Sequence, residues 1–262
     1  MKHLTKRVRF YLKIFGFDTH KLIQALKGIS FYRRDLKTLL TQKNHDQLFP
    51  ISEKFPILDE RFTPSGTMSG HYFYQDLLVA RKILENKPKR HVDIGSRIDG
   101  FVAHVAVFRE IEIFDIREQK SQVKNIVFKK ADLMKLPEGM INYCDSISAL
   151  HSIEHFGLGR YGDPIDYFGY LKAIDNITKI LERGGKFYFS VPIGPQRIVF
   201  NAHRIFSLSY LIEILTKDFT IDSFSYVNDE GNLIENAVLS HENSSVNFNC
   251  SYGCGIFELT KK

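Results

Sequence analysis

Val92-Asp93-Ile94-Gly95-Ser96-Arg97-Ile98-Asp99-Gly100 is an apolar run that ends in an acid and then breaks into a glycine-bounded turn. The apolar segment from Phe101 to Phe108 is long enough to open a helix, so the stretch reads as strand, tight turn, helix. At the carboxyl end of a parallel strand, the amides of such a turn and of the helix start point outward together and seat an anionic group. Glycine suits the turn because a Cβ would meet the chain or the ligand.

The pattern repeats downstream. Ile111 to Asp115 is a second short strand ending in an acid, and Asn125 to Phe128 is a third, followed by Ala131-Asp132-Leu133. Asp145 to Leu150 makes a fourth strand, and a helix is expected from about Pro164 to Leu181, stopped by Gly184-Gly185. A strand from Lys186 to Val191, a helix from Ser207 to Leu215, and strands from Phe219 to Val227 and Gly255 to Leu259 complete the chain. Alternating helices and apolar strands predict an α/β fold: a Rossmann-like, doubly wound, mainly parallel seven-stranded sheet with an antiparallel C-terminal strand.

Upstream, Tyr72 to Glu85 has helical spacing, with Phe73, Leu77, Leu78, Ala80 and Ile83 on one side. Pro50, Pro56, Pro64, Ser65, Gly66, Ser69 and Gly70 mark a linker over 49–70. Leu4 to about Leu40 reads as two or three helices broken near Gly16-Phe17-Asp18 and Gly28-Ile29-Ser30, with Asp18 or Thr19 and Ser30 as N-caps. The expected organisation is a basic helical N-terminal appendage (1–48), the linker, and a main domain over 71–262.

A chain of 262 residues with 44% hydrophobic content can bury a substantial core. Its three cysteines show no CxxC spacing, which argues against a disulfide framework or a zinc ribbon and suits a reducing cytoplasm. No apolar run approaches the roughly 18 residues of a membrane span, and Lys13 interrupts the Phe10 to Phe17 segment, which has no cleavage pattern. The charge of +6 is unevenly placed: residues 1–43 hold eleven Lys and Arg against Asp18 and Asp35, a local +9 that leaves about −3 for the rest. Because Leu12, Ile14, Phe15, Phe17, Leu22, Ile23 and Leu26 are interspersed there, the segment is either a solvated basic face or a peripheral contact with an anionic surface at the inner face of the membrane. No aromatic-basic module points to nucleic acid.

The acid-x-Gly turn, Asp115, Asp132, the stretch His151 to Phe156, Leu181-Glu182-Arg183-Gly184-Gly185 and the strand ending Val191-Pro192 together resemble a class I S-adenosylmethionine-dependent methyltransferase. Within that superfamily, His91-Val92-Asp93-Ile94-Gly95-Ser96-Arg97 and the run from His151-Ser152-Ile153-Glu154-His155 to Asp163 resemble the family catalogued as domain of unknown function 268. This resemblance implies an S-adenosylmethionine cofactor and an O-methyltransferase of bacterial surface-polysaccharide synthesis, with a sugar or glycan acceptor that is nucleotide-linked (phosphorylated) or lipid-linked.

Asp115 stands twenty residues after Gly95, a separation at which an acid ending the second strand accepts hydrogen bonds from ribose hydroxyls. By the resemblance, Asp132 meets the adenine amino group, although an N-cap is an equal alternative. Gly95, Ser96 and the turn amides face the methionine portion, with Asp93 orienting the turn or meeting its amino group. Arg97 and Asp99 replace the glycines usual at this turn: Arg97 either binds the methionine carboxylate, pairs with Asp99, or blocks the pocket.

The chemistry is expected near His151, Glu154 and His155, with His155 as general base, Glu154 orienting it or binding a substrate hydroxyl, and His151 on the cofactor side. His203 is the alternative base. Arg160, Tyr161, Asp163 and Arg204 are the substrate-binding candidates, Arg160 for a phosphate and Asp163 for a sugar hydroxyl, with an Arg160–Asp163 pair as the competing structural role. His151-Ser152-Ile153-Glu154-His155 also spells H-x-x-E-H, a zinc-hydrolase pattern that requires both histidines on one helix face. It begins at a strand end instead, so no metal ligand is assigned. Two further readings compete: a noncatalytic methyltransferase-like scaffold that docks at a membrane assembly through the basic N-terminus, and a metal-dependent hydrolase.

Overall fold

In the computed structural model, residue 8, residues 10–43 and residues 48–262 are described, and the chain divides into two compact units, 1–67 and 68–262. The expected helix start at Leu4 and the charges of Lys2, Lys6, Arg7 and Arg9 lie outside the described residues.

In the first unit a 25-residue helix spans Thr19–Lys43. Asp18 caps it, its Oδ1 accepting the amides of His20 at 2.9 Å and Lys21 at 3.2 Å. The chain breaks around Gly16 (φ +86°), as expected, but the helix runs without interruption through Gly28-Ile29-Ser30. Gly28 marks a close approach rather than a stop: the Leu58 carbonyl oxygen lies 2.0 Å from where its Cβ would be. Ser30, expected as a cap, turns its hydroxyl back to the Lys27 carbonyl instead.

The second unit is built on one sheet of eight strands in the order β3-β2-β1-β4-β5-β10-β8-β9. These are β1 His91–Ile94, β2 Ile111–Asp115, β3 Ile126–Lys130, β4 Cys144–Leu150, β5 Leu181–Ile193, β8 Phe219–Val227, β9 Leu233–Ile234 and β10 Gly253–Lys261. A separate hairpin pairs β6 Arg197–Val199 with β7 His203–Ile205. Strands β1 to β5 pair in parallel; β10 runs antiparallel between β5 and β8, and β9 adds an eighth, two-residue edge. The expected mainly parallel sheet with an antiparallel finish is therefore present.

Both faces of the sheet are covered, which is why the central strands are buried on both sides. On one face Ile94, Ile147, Phe187 and Phe189 pack with the helices Gly169–Ile180 and Leu208–Leu215. On the other, Ile111, Ile113, Leu150 and Ile256 pack with Leu78, Val79 and Ile83 of the His71–Asn86 helix and with Phe101 and Val105.

Three local expectations change. After Gly95 the chain winds a π-type turn, Ile98–Val102, closed by the Val102 amide on the Arg97 carbonyl at 3.2 Å, and only a short helix, Ala103–Ala106, follows. The helix expected from Pro164 begins at Gly169, because Asp163 to Tyr167 are held in a loop by long-range hydrogen bonds described below. It ends at Ile180, before the glycine pair, and Gly184 (φ +77°) lies inside β5, near an irregularity in the pairing with β4.

Candidate active site

The carboxyl ends of β1, β2 and β4 build the site. Gly95 adopts φ +65°, donates its amide to the Phe114 carbonyl at 3.1 Å, and sits so close to Ser152 that a Cβ would lie 3.3 Å from that residue's Cβ. Asp93 points beneath the turn. Its carboxylate accepts the Ser96 amide at 3.0 Å and the hydroxyls of Ser96 and Ser148, both at 2.6 Å. The Ser96 hydroxyl in turn accepts the Leu150 amide at 3.1 Å, and Ser148 also meets His91 Nε2 at 3.1 Å. Burial pushes the Asp93 carboxyl up to about 6 against those hydrogen bonds, and burial holds His91 down to about 3. Of the two roles expected for Asp93, the structure has the turn-orienting one. Ser96 likewise commits its hydroxyl to the turn, although it stays on the cleft wall.

Arg97 forks onto Asp99, with Nε 3.1 Å from Oδ1 and a terminal nitrogen 3.0 Å from Oδ2, and its guanidinium lies 5.1 Å from the centre of the Tyr72 ring. It stands half exposed at the rim of the cleft. Pairing with Asp99 is thus the arrangement present. The late glycine has its own reason, since a Cβ on Gly100 would meet the buried Asp76 carboxylate at 2.5 Å.

Two adjoining lobes form the cleft, with cavity volumes of about 60 and 350 Å³, and Gly95, Asp115, His151, His155 and Tyr161 face both. Asp115 ends β2 there, accepting the amide of Arg117 at 2.8 Å and its guanidinium at 3.1 and 2.7 Å. Asp132 lines the smaller lobe and also holds a turn, not a helix start, taking the Met134 amide at 3.0 Å. Arg117 and Ser152 went unrecognised in the sequence. Arg117 stacks over Tyr161 at 4.3 Å and bridges the β2 end to the loop after β4. Its spacing of two from Asp115 was the signal that could have found it.

The chain after β4 makes a single 3-10 turn, Ile153–His155, entered through His151 at φ +49°. His151 Nδ1 lies 2.7 Å from Glu154 Oε1, and both side chains are buried. Burial opposes charge on His151, but the Cys254 sulfur and the Glu154 carboxylate outweigh it and raise the imidazole to about 10. His155 Nδ1 lies 2.6 Å from the Ala202 carbonyl and so must donate to it, leaving the lone pair on Nε2, 3.8 Å from Glu154 Oε1. Burial holds the His155 pKa below its ordinary value, with Glu154 pulling the other way. The zinc-hydrolase reading of H-x-x-E-H loses its geometry here, because the two histidines do not stand on one face of a helix.

The substrate candidates divide. Tyr161 lines both lobes, edge-on to His155 at 5.5 Å. Asp163 borders the smaller lobe but ties its own loop, accepting the amides of Gly157, Gly159 and Tyr161 at 2.8, 3.1 and 3.2 Å. Arg160 neither pairs with Asp163 nor lines the cleft; it donates to the Ala202 carbonyl at 3.0 Å, beside His155. Arg204 is buried and structural, giving its guanidinium to the carbonyls of Phe156 at 2.6 Å and Tyr167 at 3.0 Å, with weaker contacts to Glu154 and Asp166. His203 stands behind His155, ring centres 6.4 Å apart, and does not line either lobe.

A protein-family model described as "Caenorhabditis protein of unknown function, DUF268" matches residues 100–250, more than half of the chain. The chain belongs to this family. No curated protein matches it. Among solved structures, the Burkholderia thailandensis 1,6-didemethyltoxoflavin-N1-methyltransferase, crystallised with 1,6-didemethyltoxoflavin and S-adenosylhomocysteine, is 13% identical and superposes with a TM-score of 0.51 over 89% of this chain and 90% of that one. The N-methyltransferase NodS of Bradyrhizobium japonicum WM9 is 14% identical over 86% of this chain and 97% of that one, with a TM-score of 0.47. At these identities the likeness is one of fold, and the fold of this DUF268 member is that of the class I S-adenosylmethionine-dependent methyltransferases.

Proposed function

We propose that this DUF268 protein is an S-adenosylmethionine-dependent O-methyltransferase acting on a sugar or glycan precursor. The observation that carries the reading is the convergence of Gly95, Asp115, Asp132 and His155 on one cleft at the carboxyl edge of the sheet, where ligands of such folds bind. The residues present suit the cofactor. Gly95 offers bare backbone, the Ser152 hydroxyl is buried without a protein partner, and Asp115 ends β2 where ribose hydroxyls need an acceptor. Asp132 would meet the adenine, and Arg97 stays at the rim on Asp99.

S-adenosylmethionine supplies an electrophilic methyl group on a sulfonium. Transfer to oxygen is an in-line displacement, for which this chain contributes positioning and a proton acceptor. His155 suits the role of acceptor, because the Ala202 carbonyl fixes the Nδ1–H tautomer and Nε2 is left basic and uncharged at neutral pH. Tyr161 and the rim of the larger lobe would receive the sugar. A place in surface-polysaccharide synthesis rests on family resemblance alone.

Calorimetry with S-adenosylhomocysteine tests the reading. One site per chain is expected, and Asp115→Ala should weaken it about ten- to a hundredfold, the loss of hydrogen bonds to a charged acceptor. Well-folded protein that binds neither S-adenosylmethionine nor S-adenosylhomocysteine would refute it.

A peripheral membrane contact of the first unit belongs to the same proposal. Phe15 and Phe17 are 77% and 68% exposed, with Ile14, Leu22 and Leu26 exposed beside Lys13, Lys21 and Lys27. Apolar side chains among lysines match the headgroup region of an anionic bilayer, and a lipid-linked acceptor would be met there. No helix among the described residues is long and apolar enough to cross a membrane.

A further inference from the structure

Three potential metal ligands meet beside the cleft from three separate elements. His71 opens the His71–Asn86 helix, His151 follows β4, and Cys254 is the second residue of β10. Strands β4 and β10 flank β5 on either side, with the His151 amide on the Ser190 carbonyl at 2.9 Å and Cys254 opposite Pro192. One imidazole nitrogen from each histidine and the Cys254 sulfur all lie within 4.8 Å of one another.

The partners of these groups leave the right atoms available. Glu154 accepts at His151 Nδ1, which leaves Nε2 as the nitrogen that can take an ion once its proton is displaced, and that nitrogen is buried with no hydrogen-bond partner within ordinary geometry. A buried, unpaired polar atom is costly, so its persistence calls for a ligand. A carboxylate on the far nitrogen of a histidine is also the usual support of a metal-bound imidazole, since it sets the tautomer and raises basicity. The Cys254 sulfur is buried beside the His151 imidazole, which it helps to hold charged, and its other contacts are long, 3.7 Å to Gln75 Oε1 and 3.9 Å to the Gly255 carbonyl. The His71 ring lies parallel to that of His151, with centres 5.1 Å apart.

We infer that His71, His151 and Cys254 form a binding site for a divalent zinc-class cation, with Glu154 as the supporting carboxylate. Two imidazoles and a thiolate suit a borderline-soft ion and disfavour magnesium or calcium, which take oxygen ligands. Around tetrahedral zinc, with bonds of about 2.0–2.3 Å, ligand atoms stand roughly 3.3–3.7 Å apart. Rotation of the His71 and Cys254 side chains by about an ångström at the ligand atom closes the difference from the present separation. Binding displaces the one proton that His151 Nε2 and the Cys254 sulfur hold between them, and that proton leaves to solvent. Three protein ligands leave a fourth position for water or an incoming hydroxyl, as in catalytic rather than structural zinc sites. Of the three ligands, His151 also faces the cleft. The site differs from the H-x-x-E-H pattern, sharing His151 but not His155.

Cobalt and zinc titration of the purified full chain tests the inference. One ion per chain is expected, cobalt should produce thiolate-to-cobalt charge-transfer absorption in the near ultraviolet, and Cys254→Ser should abolish that band. Glu154→Gln should weaken zinc binding by about ten- to a hundredfold, as loss of a supporting partner does, whereas His203→Ala should leave it unchanged. Circular dichroism and thermal melting of each variant separate loss of ligand from loss of fold; should Cys254→Ser not fold, His71→Gln at the helix start provides the same comparison. No uptake by folded wild-type protein, or cobalt uptake without the thiolate band, would overturn the site. S-adenosylhomocysteine calorimetry on the same samples reads the cofactor proposal independently.

Discussion

His155 shows how a single residue receives its chemical state from a distant backbone group. The Ala202 carbonyl, 47 positions along the chain, accepts the hydrogen bond of its Nδ1–H, and burial keeps the ring uncharged. His155→Ala is expected to lower kcat about 10²- to 10⁴-fold, the usual contribution of a general base, while S-adenosylhomocysteine affinity is retained; an unchanged kcat would remove His155 from the proton transfer. The sign of the pH dependence follows from the shift. The base works when deprotonated, and its pKa is depressed, so kcat/KM should rise with pH and reach half-maximum below the ordinary imidazole value of 6.5. A rate profile with its acid limb above that value would contradict the assignment. Asp115 was legible at this scale because a strand-ending acid at a fixed distance from a glycine turn is a local pattern. The pairing of Arg97 with Asp99 was one of several arrangements that the letters allowed, and side-chain packing selected it.

Among the elements, the loop between β4 and the Gly169–Ile180 helix is held by a residue from outside it. Arg204, on β7, donates to carbonyls on both sides of that loop and so fixes the turn that carries His155. Arg204→Met would strand those carbonyls in a buried setting. A loss of about 3 kcal/mol of stability is expected, from one to two unmet groups at the full desolvation cost. Differential scanning calorimetry measures it, and below the melting transition kcat should fall more than cofactor affinity. An unaltered melting temperature would show that the loop holds itself, through Asp163 and its own backbone hydrogen bonds. The late start of this helix and the extension of β5 back to Leu181 have the same origin: contacts made across the fold override local helix signals. Gly28 illustrates the converse, since a residue that looks like a helix stop in the sequence is a contact point for Leu58 inside a continuous helix.

At the scale of the whole molecule, charge and exposed apolar surface concentrate in the first unit, while the cleft lies in the second. Sedimentation with vesicles should find the protein on anionic but not neutral bilayers, with retention falling as salt rises. Phe15→Ser with Phe17→Ser should reduce vesicle binding severalfold and leave cofactor affinity as it was; undiminished binding would reduce the segment to a solvated basic face. What the sequence determined by itself is the order of strands and helices, the parallel sheet with its antiparallel finish, and the glycine turn with Asp115 and Asp132. These follow from periodicity and from short fixed spacings, which each segment carries alone. The tertiary structure decided which polar side chains serve the fold and which face the cleft: Asp93 and Arg204 inward to backbone partners, His155 outward, and His71, His151 and Cys254 together. Those assignments depend on hydrogen bonds and close contacts between positions tens to nearly two hundred residues apart, and no local pattern specifies them.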